Sequence, residues 1–181
     1  MLISRGKKTE NIAEYLLYLW QIEDLIRAFA FDIEKIQTYI IDGFDQPAEV
    51  KKEIRDWYDS LIEMMRLENV TSTGHLQINK NVITELDELH NALLKAPKEN
   101  FYLMTYHKVL PLIVELRAKP GGTAYDEVET CLNLLYGMLL LRLQQKQISD
   151  ETAHAASLIS ELLRMLSAKY KQDKEEGLDL E

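Results

Sequence analysis

The chain has 181 residues, 46% apolar and 28% charged, which is enough for one domain to bury a core without disulfides or metals. Its net charge of −9 sets it against phosphate backbones and excludes general nucleic-acid binding. Cys131 is the single cysteine, so no internal disulfide can form and a reducing cytoplasm is the expected compartment.

Glycine and proline are scarce, and the apolar residues recur at helical spacing, so the expected fold is all-α: one irregular bundle of about seven helices without a convincing strand. The first helix is expected from about Glu10 to Phe29, capped by Thr9. Asp32 should cap a short second helix through Ile41 that ends at Gly43. Pro47 sits at a helix start and predicts a third helix to about Glu68, with a stripe of Val50, Ile54, Trp57, Leu61 and Met64.

"NVTSTGHLQINKN" (69–81) is polar, neutral and low in helix formers, and is expected to be the longest loop. A fourth helix should run from about Asn81 to Lys95 and close before Pro97. A fifth spans roughly Lys98 to Lys119, where Pro111 should kink or split it. Gly121-Gly122 reads as a turn. The sixth helix is expected from about Tyr125 to Lys146, with Gly137 as a packing contact. The seventh should run from a Ser149 cap to about Lys171. Residues 1–172 then form a single helical domain, and 173–181 an acidic, disordered tail. The start of the chain has no apolar run of signal-peptide length, and Thr130 to Leu141 is too short to span a bilayer, so a soluble protein without membrane contact is expected.

At 100° per residue, ionisable residues fall on apolar stripes in four helices. Glu23 lies between Leu19 and Ile26, with Arg27 one turn on as its nearest partner and Asp24 on the far, solvated side. His90 falls among Leu86, Leu89 and Leu93; Arg117 beside Leu110 and Ile113; Arg142 among Leu135, Met138 and Leu139. A buried charge needs a partner, so removing Glu23 should strand an arginine. Glu23, Arg27, His90, Arg117 and Arg142 are therefore the candidate site, with His75 and Asn79 of the long loop beside them. If they met, the arginines could fork onto a small carboxylate or phosphate. The simpler alternative is that each charge is satisfied separately, an arginine by reaching solvent at a helix end and His90 by a backbone carbonyl.

Metal chemistry finds only half-motifs. Asp87-x-x-His90 occurs once, and the pairs Glu85/Glu88 and Asp56/Asp59 lie on solvent faces, so a metal-dependent hydrolase is the weakest reading. Cys131 reads as a small buried hydrophobe, and no motif implies a cofactor.

The stretches "NIAEYLLYLWQIEDLIR", "LIEMMRLENVTSTGHLQINKNVI", "LPLIVELRAK" and "LLYGMLLLRLQQKQIS" together resemble an uncharacterised family of bacterial all-helical proteins of about 180 residues, a domain of unknown function. The resemblance implies an all-helical fold and carries no activity, cofactor or site residue with it.

The functional expectation is a non-enzymatic interaction or assembly protein acting as a homodimer. It rests on the first and sixth helices, which are apolar almost all round and should be the most buried. The alternative is a small-anion binding protein built on the buried charges.

Overall fold

The computed structural model describes residues 10–120 and 125–180. The expected Thr9 cap and the Gly121-Gly122 turn lie outside them. Seven α-helices and no strand are found among the described residues: α1 (Ile12–Ala28), α2 (Ile33–Ile36), α3 (Ala48–Leu67), α4 (Gln77–Lys95), α5 (Asn100–Arg117), α6 (Glu127–Leu143) and α7 (Asp150–Glu176). The chain is all-α, as its composition and periodicity predict. No described helix is long and apolar enough to cross a membrane.

Local chemistry explains most of the boundaries. Asn11 caps α1, its side chain accepting from the Ala13 and Glu14 amides. Asp32 caps α2, which widens into a π-helical turn over Gln37–Ile41 before Gly43. Ser149 caps α7 as expected, and that helix runs past Lys171 to Glu176, into the stretch expected to be a tail. Leu180 also packs against the core, and Asp179 pairs with Lys98. Beyond α1, α3 and α6 the chain turns through left-handed residues, and an amide reaches back five residues: Phe31 to Ile26, Val70 to Met65, and Lys146 to Leu141.

Three expectations shift. Helix α5 is continuous through Pro111 rather than split, because the proline ring faces solvent and packing of the opposite face holds both halves. The buried face of α3 is turned about one residue from the expected stripe, onto Ile54, Tyr58, Leu61, Ile62 and Met65. Gly137 makes no close packing contact: the space beside its Cα is open.

The helices enclose two apolar cores. The larger gathers α4–α7 around the first half of α1, including Leu16 and Trp20. The smaller gathers α2, α3, Val70 and Leu76 around the second half, including Ile22 and Ile26. Helix α1 is therefore shared by both cores within one chain, with Glu14 and Ala28 left exposed, which is why its sequence is apolar almost all round. Helix α6 is not. Its first half is buried through Val128, Cys131 and Leu132, whereas Leu139, Leu140 and Leu141 stay half-buried and Leu143 is 66% exposed.

Candidate functional site

The seam between the two cores falls at Glu23, which α1 carries on its buried face at 1% exposure. Glu23 Oε1 accepts from the Leu76 amide at 3.0 Å and from Asn79 Nδ2 at 2.7 Å. Its Oε2 meets His75 Nδ1 at 2.6 Å. These partners come from the long loop and from the start of α4, which begins at Gln77 rather than Asn81. Leu76, at the N-cap position of α4, offers no side-chain cap. Carboxylates from elsewhere replace it: Glu23 takes the Leu76 amide, and Glu68 takes the Gln77 amide at 2.6 Å. Negative charge at a helix N-terminus is favourable in its own right.

Arg27 does not pair with Glu23. It binds Asp24 at 2.7 Å and donates to the carbonyls of Val70, at 3.0 Å, and Gly74. Asp24, expected on the solvated side, also accepts from the Tyr136 hydroxyl at 2.5 Å and so links α1 to α6. One turn of α1 therefore grips residues 70–76 from both chemical sides, Glu23 holding donors and Arg27 holding carbonyls. His75 closes the arrangement by stacking on Trp20, with ring centroids 4.2 Å apart, while Tyr136 meets Trp20 edge-on.

Trp20 Nε1, Arg27 Nε and Asn79 Oδ1 are buried around this grip without hydrogen-bond partners among the described residues. Burial raises the Glu129 carboxyl on α6 above the usual range, and the nearby His75 partly offsets this. The phenol of Tyr136 is pushed up by burial and by its bond to Asp24.

His90 forms a second, separate cluster. It is 2% exposed, with Nδ1 at 2.6 Å from the Tyr102 hydroxyl and Nε2 at 3.4 Å from Glu127, rather than on the backbone carbonyl expected for it. Glu127 as a carboxylate can only accept, so the imidazole proton sits on Nε2, and Nδ1 accepts from Tyr102. Burial lowers the His90 pKa from its ordinary value, against the opposing pull of Glu127 and Asp87. A void of about 10 Å³, room for about one water, lies beside His90, Tyr102, Glu127 and Cys131. Burial and the nearby Glu127 push the Cys131 thiol up to about 12, which leaves it unreactive as a nucleophile.

The two remaining arginines join neither cluster. Arg117 is half-buried at the end of α5, near Tyr106. Arg142 is exposed at the rim of a cleft between α1, α6 and α7. The candidate residues thus separate into Glu23 with His75 and Asn79, Arg27 with Asp24, His90 with Glu127, and two arginines apart, because the seam, the larger core and the surface each claim their own. No group of three His, Cys, Asp or Glu side chains able to hold a metal occurs among the described residues. Glu85, one of the acids weighed for metal chemistry, is held by Tyr170 at 2.7 Å and Lys174 at 2.9 Å.

Tyr136, Trp20 and Glu127 complete these clusters without any sequence signal of their own. Each is an ordinary residue on its helix, and its role depends on pairing across more than 30 positions of chain.

Residues 1–177 match the family described as a domain of unknown function (DUF4924), and the chain belongs to that family. No curated protein and no solved structure matches it.

Proposed function

We propose that this member of the DUF4924 family is a non-enzymatic interaction protein that assembles as a homodimer in the cytoplasm. The observation that carries the reading is the outer face of α5. Phe101 is 68% exposed, Met104 and Val114 are each 60% exposed, and Pro111 is exposed between them. Large apolar side chains this open, spread over one face of a helix around His107 and Lys108, favour a contact surface over scattered exposure.

The face is also self-complementary. Phe101 and Val114 are placed symmetrically about a centre between His107 and Lys108, and Met104 and Pro111 are symmetric about the same point. On a helix, Met104 and Pro111 then lie within about 10° of the stripe's midline, and Phe101 and Val114 about 70° to either side. A two-fold axis through that centre sets Met104 against the partner copy's Pro111 near the midline, with Phe101 and Val114 closing the two flanks, as an isologous interface allows. His107 and Lys108 flank the axis on opposite sides, where the lysine stem adds apolar cover and its ammonium reaches water. The buried, free Cys131 is in keeping with a reducing compartment.

Cysteine cross-linking tests it, because Cys131 is buried and stays silent. Met104→Cys chains mixed with Pro111→Cys chains should form a disulfide dimer, and Met104→Cys chains alone should not. Equal cross-linking in both samples, or none in either, would contradict the two-fold.

A further inference from the structure

The cleft at Arg142 is a separate feature. It has a volume of about 450 Å³ and lies between α6 and α7, with Leu17 of α1 at its base. Leu135, Met138 and Leu139 form one wall, and Ala156 and Ser157 stand opposite. Helices α6 and α7 are joined by a short link and run antiparallel, so Arg142 and Ala153 mark one end and Leu135 and Ser160 the other. From Leu135 to Arg142 the apolar wall extends about 10 Å along α6, at 1.5 Å per residue. The volume falls in the usual range for a small-molecule site.

The charge at its end selects the occupant. The Arg142 side chain makes no hydrogen bond or ion pair among the described residues, although acidic side chains outnumber basic ones in the chain, 30 to 21. Asp150 and Glu151, at the nearby start of α7, do not pair with it. An unclaimed guanidinium at one end of a largely apolar cleft is complementary to a molecule with one carboxylate and one hydrocarbon tail. We infer that this cleft binds a soluble, single-chain aliphatic carboxylate, its head on Arg142 and its tail along Leu139, Met138 and Leu135 toward Leu17. The site is distinct from the α5 stripe and shares no residue with it.

Isothermal titration of the full chain with hexanoate, octanoate and decanoate, all below micelle formation, tests the inference. One site per chain is expected. Affinity should rise about fourfold per added methylene, because each buried CH₂ contributes ~0.8 kcal/mol. Arg142→Met should weaken decanoate about tenfold or more, the usual scale for losing a charge-assisted bond. Ser157→Trp fills the trough from an exposed position and should abolish binding. Decyltrimethylammonium, with the same tail and the opposite charge, should bind at least tenfold more weakly.

The inference is overturned if no saturable site appears, if the cation binds equally well, or if Arg142→Met changes nothing. Binding to phosphatidylglycerol vesicles with none to free decanoate would overturn it in favour of a membrane surface. A self-association lost in Ser157→Trp, with decanoate never bound, would assign the cleft to a second copy instead. Should Ser157→Trp fail to fold by circular dichroism, Arg142→Met and the cation comparison decide the matter alone.

Discussion

Replacing Glu23 by alanine removes the partner of three groups at once. The Leu76 amide and Asn79 Nδ2 both lose Oε1, and His75 Nδ1 loses Oε2. A hydrogen bond to a charged group is worth about 1.5–3 kcal/mol, and a stranded buried donor costs a further desolvation penalty. Relief of the carboxylate's own burial offsets part of this sum. The expected loss is therefore about 4 kcal/mol, in the range seen when one member of a buried charged pair is deleted. What is stranded is a helix N-terminus and an asparagine rather than an arginine, since Arg27 is anchored on Asp24 and on loop carbonyls.

Glu23→Gln should cost less, about 1–2 kcal/mol, because its carbonyl can still serve both donors on the Oε1 side. Urea unfolding followed by circular dichroism gives both values. Amide exchange at residues 70–79 should accelerate selectively in the alanine variant. A loss below about 1 kcal/mol for Glu23→Ala would refute the reasoning, because it would mean that water replaces the carboxylate at no cost.

Arg27→Met should cost about 2 kcal/mol and free the Val70 and Gly74 carbonyls, read as faster exchange in the 70–76 segment while α7 stays protected. Burial lowers the His90 pKa below 6.5, so the unfolded chain binds more protons there as pH drops. Its contribution to stability is fully present above pH 6.5 and is lost as pH falls below it. Asp87 and Glu129, raised by burial, act in the opposite direction at lower pH, so the His90 part is the difference between the unfolding curves of the wild type and His90→Gln. With its thiol at about 12 and 1% exposed, Cys131 should resist alkylation in the native protein and react at once in urea.

The fold was legible because helical spacing, caps and breakers are local signals: Asp32, Pro47 and Ser149 each mark a helix start. The burial of Glu23 was legible for the same reason, since its place on the α1 stripe is a matter of angle alone. Its partners were not. His75 and Asn79 stand out in the sequence only as polar loop residues, and nothing local says that α4 begins at Gln77 with an external carboxylate as its cap. The same limit singled out α1 and α6 as hard to cover, of which only the second half of α6 keeps apolar surface open, and passed over α5. An all-round apolar α1 can mean a dimer face or a helix shared by two cores, and only the docking of α2 and α3 onto its second half decides between them. On α5 the stripe of Phe101, Met104, Pro111 and Val114 alternates with a buried one through Tyr102, Thr105, Val109 and Ile113. Composition alone does not say which of the two faces the core.

The homodimer is the central functional claim, and sedimentation velocity at low micromolar concentration tests it most directly. The wild-type chain should sediment as a dimer, and Met104→Glu, which places a charge on each side of the two-fold, should sediment as a monomer that keeps its helical circular dichroism. A wild-type chain that stays monomeric at high micromolar concentration, or a dimer indifferent to Met104→Glu, would contradict the account.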